Sequence, residues 1–196
     1  MPTSTWVHVS DAMGIVIESR AKSLVDVGCG WGRFGLLFRD MLDVIKGRWT
    51  KEQWKARIDA VEPTLTYISP VHRHIYDNIY QMSAQEWLKQ STEEYEIVWC
   101  GDMLEHLPQT ETMEVAMKLR ERATKFFIAG VPMGDRWPQG AINGNKWERH
   151  QSVWTEQMIR QISHAYKVYP MGNRCYGLFV AEVGGKKAKF PNALRV

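Results

Sequence analysis

Apolar positions along the chain switch between a period of about 2 and one of about 3.6, and the switches mark out its elements. Met13, Val16 and Ile17 share one face of a helix that Ser10 can cap, and Ser23 to Val27 then reads as a strand. Phe34, Leu36, Leu37, Phe38 and Met41 set the face of a second helix ending near Asp43. Lys46 to Arg57 is wetter, with Trp49 and Trp54 among charges and a capping signal at Thr50 and Gln53, and reads as a surface insertion. Ile58 to Glu62 alternates as a strand and stops at Pro63. Ser69-Pro70 starts a helix through Ile75, Asn78 to Met82 is a short strand, and Ser83-Ala84-Gln85-Glu86 is a capping box opening a helix through Leu88. Strands follow at Tyr95 to Cys100 and Lys125 to Val131, with a helix from a Thr110 cap to Arg122 between them. Pro132 to Asn145 is rich in Pro, Gly, Asp and Asn and predicts a long loop of the kind that carries function. Thr155 caps a helix to about His164, and two strands, Tyr166 to Tyr169 and Cys175 to Val183, meet at the turn Met171-Gly172-Asn173.

Strands that alternate with helices and close in a hairpin predict an α/β fold, a mostly parallel sheet covered by helices on both faces with one antiparallel strand inserted last. With 196 residues, 44% of them hydrophobic, the chain can bury one sizeable core. A single domain over 1–184 is expected, followed by a basic tail over 185–196 that holds Lys186, Lys187, Lys189 and Arg195 and so much of the net charge of +3. Cys29, Cys100 and Cys175 are odd in number and sit in apolar runs, which predicts buried free thiols in a reducing compartment. The start shows no signal-peptide pattern, and no apolar run approaches the ~18 residues of a membrane helix. A cytoplasmic protein without a membrane partner is expected.

Chemistry is concentrated in Leu24 to Gly35, where an apolar strand breaks into Gly28, Gly30 and Gly32 before a helix. Glycines at alternate positions let the backbone pass close to a ligand, and the helix start offers unpaired N–H groups. Gly30-x-Gly32-x-x-Gly35 fits a dinucleotide fingerprint formally. Asp26 argues against it, because an acid just ahead of the loop repels a pyrophosphate and attracts a phosphate-free cation.

Asp26-x-Gly28-x-Gly30-x-Gly32, Glu62 at the end of the second strand, and Asp102-x-x-Glu105-His106-Leu107-Pro108 after the fourth together resemble a class I S-adenosylmethionine-dependent methyltransferase. The resemblance runs from about Leu24 to Val183. It implies a Rossmann-like three-layer sandwich with a seven-stranded sheet in the order 3-2-1-4-5-7-6, the last strand antiparallel, and S-adenosyl-L-methionine as cofactor. By the same resemblance Glu62 would accept both ribose hydroxyls, Gly28 and Cys100 would offer carbonyls to the methionine ammonium, and Gly30 and Trp31 would lie beside the methionine part. Ser83 stands where the family often has an acid that meets the adenine amino group, which leaves the backbone N–H of Ala84 or Ser83 for the adenine and Pro63 to pack on its ring.

Gly144-Asn145, then Glu148-x-His150-x-Ser152-x-Trp154, is similar to a segment found after the fifth strand in a subgroup of these enzymes, and makes His150 the first candidate for a base. A structural His that orients the loop is the alternative. Asp102, Glu105 and His106 fall on one turn, a spacing that can hold a divalent ion, but Glu-His-Leu is widespread in methyltransferases without metal and no metal is expected. The expected catalytic group is His150, His106 and Asp102. Tyr67, His72 and His74 are placed at the acceptor pocket, and Trp137 and Trp147 are expected as its walls. These features imply methyl transfer to an oxygen or nitrogen of a small-molecule or sugar-containing acceptor. The alternatives are a nucleic-acid methyltransferase of the RNA 2′-O type, metal-assisted or not, and a non-catalytic S-adenosylmethionine-binding partner subunit. Nucleic acid is the less favoured partner, since the basic residues outside the tail gather into no aromatic-laced stripe. The sequence does not indicate an oligomeric state.

Overall fold

The structure, a computed structural model, describes residues 5–163 and 165–184. The expected basic tail and the His164 helix end lie outside the described residues. Strands β1 (Ser23–Val27), β2 (Arg57–Val61), β3 (Ile79–Tyr80), β4 (Tyr95–Gly101), β5 (Ala123–Met133), β6 (Ala165–Met171) and β7 (Arg174–Glu182) form one sheet in the order β3-β2-β1-β4-β5-β7-β6. β7 is antiparallel to both its neighbours and every other pair is parallel. This is the expected order and direction.

Helices α1 (Val9–Ser19), α2 (Arg33–Leu42) and α3 (Pro70–Ile75) cover one face, and α4 (Ala84–Gln90), α5 (Thr112–Glu121) and α6 (Glu156–Ile162) the other. Successive strand residues divide between the two cores as strand geometry requires. Leu24, Ile58, Ile97, Trp99 and Ile128 pack with Met13, Phe34, Phe38 and Ile75, while Val25, Val61, Val98, Phe127 and Ala129 pack with Trp87, Leu119 and Ile159. With both faces covered, the strands read as apolar runs. The parallel strands send their carboxyl ends, and the loops after β1, β2, β4 and β5, to one edge of the molecule.

Local chemistry departs from expectation at several places. α1 starts one residue before Ser10, with His8 at the cap position and no side-chain cap. α5 starts at Thr112 rather than from a Thr110 cap, because Thr112 Oγ1 instead donates to the Leu104 carbonyl at 2.8 Å. The segment after α2 is not a free surface insertion. Buried Asp43 accepts from Lys55 N–H at 2.8 Å and from the Arg39 and Arg48 guanidinium groups, and the Arg39 guanidinium lies 4.2 Å from the Trp54 ring. Cys29 and Cys100 are buried as expected, but Cys175, at the hairpin end of β7, is exposed.

Candidate functional site

β1 ends at Val27, and the chain then turns through Gly28, Gly30 and Gly32 at φ 78°, 52° and 78°, the left-handed region that costs glycine little. A Cβ on Gly28 would sit 2.7 Å from the Met103 side chain, whereas around Gly30 there is open space, so a ligand can reach the backbone there. His72 supports the turn from the α3 side. Its Nδ1 accepts from Ser69 N–H at 3.2 Å, which leaves Nε2–H to donate to the Gly30 carbonyl at 2.9 Å. His72 therefore holds the loop rather than bordering an acceptor pocket, and His74 packs edge-on against Trp54.

Asp26 does not face the cavity either. It is buried on the α3 side and accepts the Tyr76 hydroxyl at 2.6 Å, and Gly35 has no side chain because one would collide with Tyr76. Burial, and then the nearby Glu62 charge, push the Asp26 carboxyl up to about 7 against the Tyr76 hydrogen bond. Glu62 stands at the carboxyl end of β2. Its Oε2 accepts Gly30 N–H at 2.9 Å and its Oε1 accepts Thr64 N–H at 2.8 Å, with the Thr64 side chain as a further partner. Burial raises its pKa above the usual range.

Ser83 is spent as the cap of α4. Its Oγ accepts from Glu86 N–H and its own N–H donates to Glu86 Oε2 at 2.9 Å. Of the two backbone donors expected for an adenine, Ser83 N–H is thus occupied. The Ala84 N–H belongs to the first helical turn, whose donors have no helical partner.

On the opposite side, Asp102 follows β4 at φ 49°, uncommon for a residue with a side chain. Its Oδ2 accepts the Tyr176 hydroxyl at 2.8 Å, and Gly130 makes room for that ring. His8, fully buried, stacks on Tyr176 at 4.5 Å, and burial lowers its pKa to about 4. A 3-10 turn at Leu104–His106 then presents Glu105 and His106. Glu148 closes a 3-10 turn at Lys146–Glu148, and residues 149–154 then run beside the Leu104–His106 turn, with burial alternating from Glu148 to Trp154. Glu148 and His150 line the cavity, Ser152 Oγ donates to the Leu104 carbonyl at 3.1 Å, and Trp154 is fully buried on Phe179. The N–H groups of Gln151 and Ser152 both donate to the Glu105 carbonyl, at 2.8 and 3.0 Å. The loop also reaches across the cavity. Asn145 Nδ2 donates to Thr64 Oγ1 at 3.2 Å and to the Tyr67 oxygen at 3.0 Å, and the Tyr67 hydroxyl donates to Glu148 Oε1 at 2.6 Å.

Burial lowers the pKa of both histidines of this edge, and His150 adds to the effect at His106. His106 is lowered to about 4, first by burial and then by His150, and His150 is lowered by burial against the Trp137 carbonyl. Glu105, fully buried beside Asp102, is raised well above the carboxylate range.

One cavity of about 230 Å³ at the carboxyl edge is lined by Gly28, Gly30, Trp31, Glu62, Pro63, Ser83, Ala84, Asp102, His106 and His150, all singled out from the sequence. Asp26, Gly32 and Cys100 do not line it. Tyr67, Trp137 and Trp147 are walls, with Trp31 stacked on Tyr67 at 4.9 Å. Thr5, Arg33, Gln139 and Tyr176 also line it and had no local signal, since only the folded chain brings them there.

The fold and this edge define a doubly wound α/β protein with a ligand cleft at the point where the strand order reverses, between β1 and β4. Among solved structures the chain is similar to 1,6-didemethyltoxoflavin-N1-methyltransferase of Burkholderia thailandensis, solved with 1,6-didemethyltoxoflavin and S-adenosylhomocysteine bound (TM-score 0.60, 14% identity, 91% of this chain and 81% of that one). It is also similar to TehB of Haemophilus influenzae (TM-score 0.63, 11% identity, 92% and 63%) and to an O-methyltransferase family protein of Burkholderia thailandensis (TM-score 0.53, 11% identity, 89% and 56%). The chain thus spans less than two thirds of the length of the last two. No family model and no curated protein sequence matches this chain. At these identities what is shared is the fold, the seven-stranded one of S-adenosylmethionine-dependent methyltransferases. Among the described residues no helix is long and apolar enough to cross a membrane.

Proposed function

We propose that this chain is a methyltransferase that takes the methyl group of S-adenosylmethionine and passes it to an oxygen or nitrogen of a small-molecule or sugar-containing acceptor. The observation that carries this reading is the meeting, at 2.9 Å, of the Gly30 N–H in the glycine turn with the Glu62 carboxylate at the ends of two neighbouring parallel strands. That arrangement puts an open backbone loop beside a carboxylate at the cavity wall, and two carboxylate oxygens suit a ribose diol. The charges of the cavity favour a cationic, phosphate-free ligand. Glu62, Asp102 and Glu148 line it, against Arg33, two neutral histidines and the protonated Glu105.

When bound, the cofactor supplies a methyl group on a sulfonium sulfur that needs no further activation. The chain's own residues then bind and align. Glu62 holds the ribose, the Gly28 carbonyl faces the ammonium, Pro63 and the Ala84 N–H take the adenine, and Trp31, Tyr67, Trp137 and Trp147 supply flat walls for the acceptor. His150 is the acceptor's base. Its Nδ1 sits 2.6 Å from the Trp137 carbonyl and so carries the proton, which leaves the Nε2 lone pair to take a proton from the acceptor.

Isothermal titration of the chain with S-adenosylmethionine and with S-adenosylhomocysteine tests the cradle. Both are expected to bind, and Glu62→Ala is expected to weaken binding by roughly tenfold or more, as loss of a charged hydrogen-bond acceptor does. Equal affinity in the variant removes Glu62 from the site. Methyl incorporation from labelled cofactor into fractions of a cell extract separates an enzyme from a non-catalytic partner subunit.

A further inference from the structure

Glu105, His106 and His150 each offer one ligand atom, and the three atoms lie within 4.8 Å of one another at the wall of the cavity. The rings of His106 and His150 are 5.0 Å apart and steeply inclined. Their other nitrogens are engaged behind them, His106 Nδ1 with the Arg149 carbonyl at 3.2 Å and His150 Nδ1 with the Trp137 carbonyl at 2.6 Å. A carbonyl at Nδ1 requires the N–H there, so in the neutral ring Nε2 carries the lone pair, the arrangement that outer partners impose on metal-binding histidines. Glu105 is only 1% exposed, and its Oε2 has no hydrogen-bond partner in the structure. A buried carboxyl oxygen without a partner costs stability unless a cation, which displaces the proton, or a donor arrives to satisfy it.

The position is also built rather than incidental. The Glu105 carbonyl takes two N–H groups of residues 151 and 152, so the turn that carries Glu105 and His106 is bolted to the strand-like run that carries His150. The ligands come from two loops 44 residues apart in the chain and are held at fixed separation, as a preformed site requires.

We infer that Glu105, His106 and His150 form a binding site for one divalent first-row transition-metal ion, at the acceptor end of the cavity. Two imidazoles and one carboxylate suit manganese, cobalt or zinc, whereas magnesium and calcium favour all-oxygen sets. Three protein ligands leave further coordination positions open, and these face the cavity, where an oxygen or nitrogen of the acceptor can enter. This departs from the metal-free expectation from the sequence. With the ion bound, the His150 Nε2 lone pair is a metal ligand and no longer the acceptor's base, and an acceptor oxygen or nitrogen on the ion is acidified by it and gives its proton to solvent. That role for the acceptor rests on the methyl-transfer reading, but the site itself does not.

The test uses the tag-free full chain, dialysed against a chelator and then titrated with Mn²⁺ while the paramagnetic resonance signal of free Mn²⁺ is followed, and separately with Co²⁺ while its visible spectrum is followed. One equivalent is expected to bind, with Co²⁺ bands that report imidazole ligation, and His106→Gln and His150→Gln are each expected to weaken binding by roughly tenfold or more. Glu114→Gln, on the exposed face of α5, is expected to change nothing. Circular-dichroism melts of the two histidine variants verify their fold. No stoichiometric binding of either ion, or affinity unchanged in both histidine variants, overturns the site. Binding of S-adenosylmethionine is measured on the same metal-free samples. Metal bound without cofactor leaves this site standing and sinks the cradle, and the reverse result does the opposite.

Discussion

A carboxyl group buried in an apolar layer keeps its proton to unusually high pH, and Asp26 is such a group even with the Tyr76 hydroxyl donating to it. Its folded pKa of about 7 lies above the ordinary aspartate value near 4. Between those values the folded chain holds a proton that the unfolded chain has lost. The stability linked to Asp26 is therefore complete below about pH 4 and declines as pH rises to 7. Asp26→Asn keeps an acceptor for the Tyr76 hydroxyl and never ionises. Relative to the unaltered chain it is expected to gain roughly 2–4 kcal/mol between pH 4 and pH 8, read from urea unfolding at both. A constant difference across that range overturns the assignment. Residue identities at this edge were legible where motif spacing places them, as with Gly28, Gly30, Glu62 and His150, which line the cavity. Asp26 was misread because its partner, Tyr76, is 50 residues away, and a local pattern says nothing about which layer a strand side chain enters. His72 was misread for the same reason, since its contact with Gly30 spans 42 residues.

Among the elements, the run from Glu148 to Trp154 shows how a polar loop is fastened. Its Glu-x-His-x-Ser-x-Trp spacing is a period of two, and in the structure burial alternates with it from the end of the 3-10 turn Lys146–Glu148, with Glu148 and His150 toward the cavity and Ser152 and Trp154 toward the core. The two inner residues contribute unequally. Trp154→Ala empties a fully buried site against Phe179 and is expected to cost about 3–5 kcal/mol. Ser152→Ala removes one hydrogen bond to a carbonyl that Thr112 still satisfies, and is expected to cost about 1 kcal/mol. Thermal unfolding of the two variants checks the ratio, and equal losses would place the anchor elsewhere. The helix starts were less legible than this run. Ser69, Ser83 and Thr155 sit at the caps that their types predict, but at α1 and α5 the expected caps at Ser10 and Thr110 gave way because tertiary contacts, such as Thr112 to Leu104, set where those helices begin.

For the molecule as a whole, alternating strands and helices were enough to predict a parallel sheet covered on both faces, and the resemblance supplied the strand order that the structure has. What no linear reading contains is how the two banks of the cleft meet. Tyr67 follows β2, Glu148 follows β5, and one hydrogen bond of 2.6 Å, with Asn145 beside it, joins them over 81 residues of chain. A cleft spanned by such a latch exchanges its contents at the rate the latch opens, not at the rate of encounter. Tyr67→Phe removes the hydroxyl and keeps the ring that stacks on Trp31. In stopped-flow fluorescence with S-adenosylhomocysteine, arrival and departure are both expected to accelerate by similar factors, leaving affinity nearly unchanged; unaltered rates would mean that the latch does not gate. With that outcome, residence time and affinity are set by different residues, and the protein can change how long it keeps a ligand without changing how well it binds it.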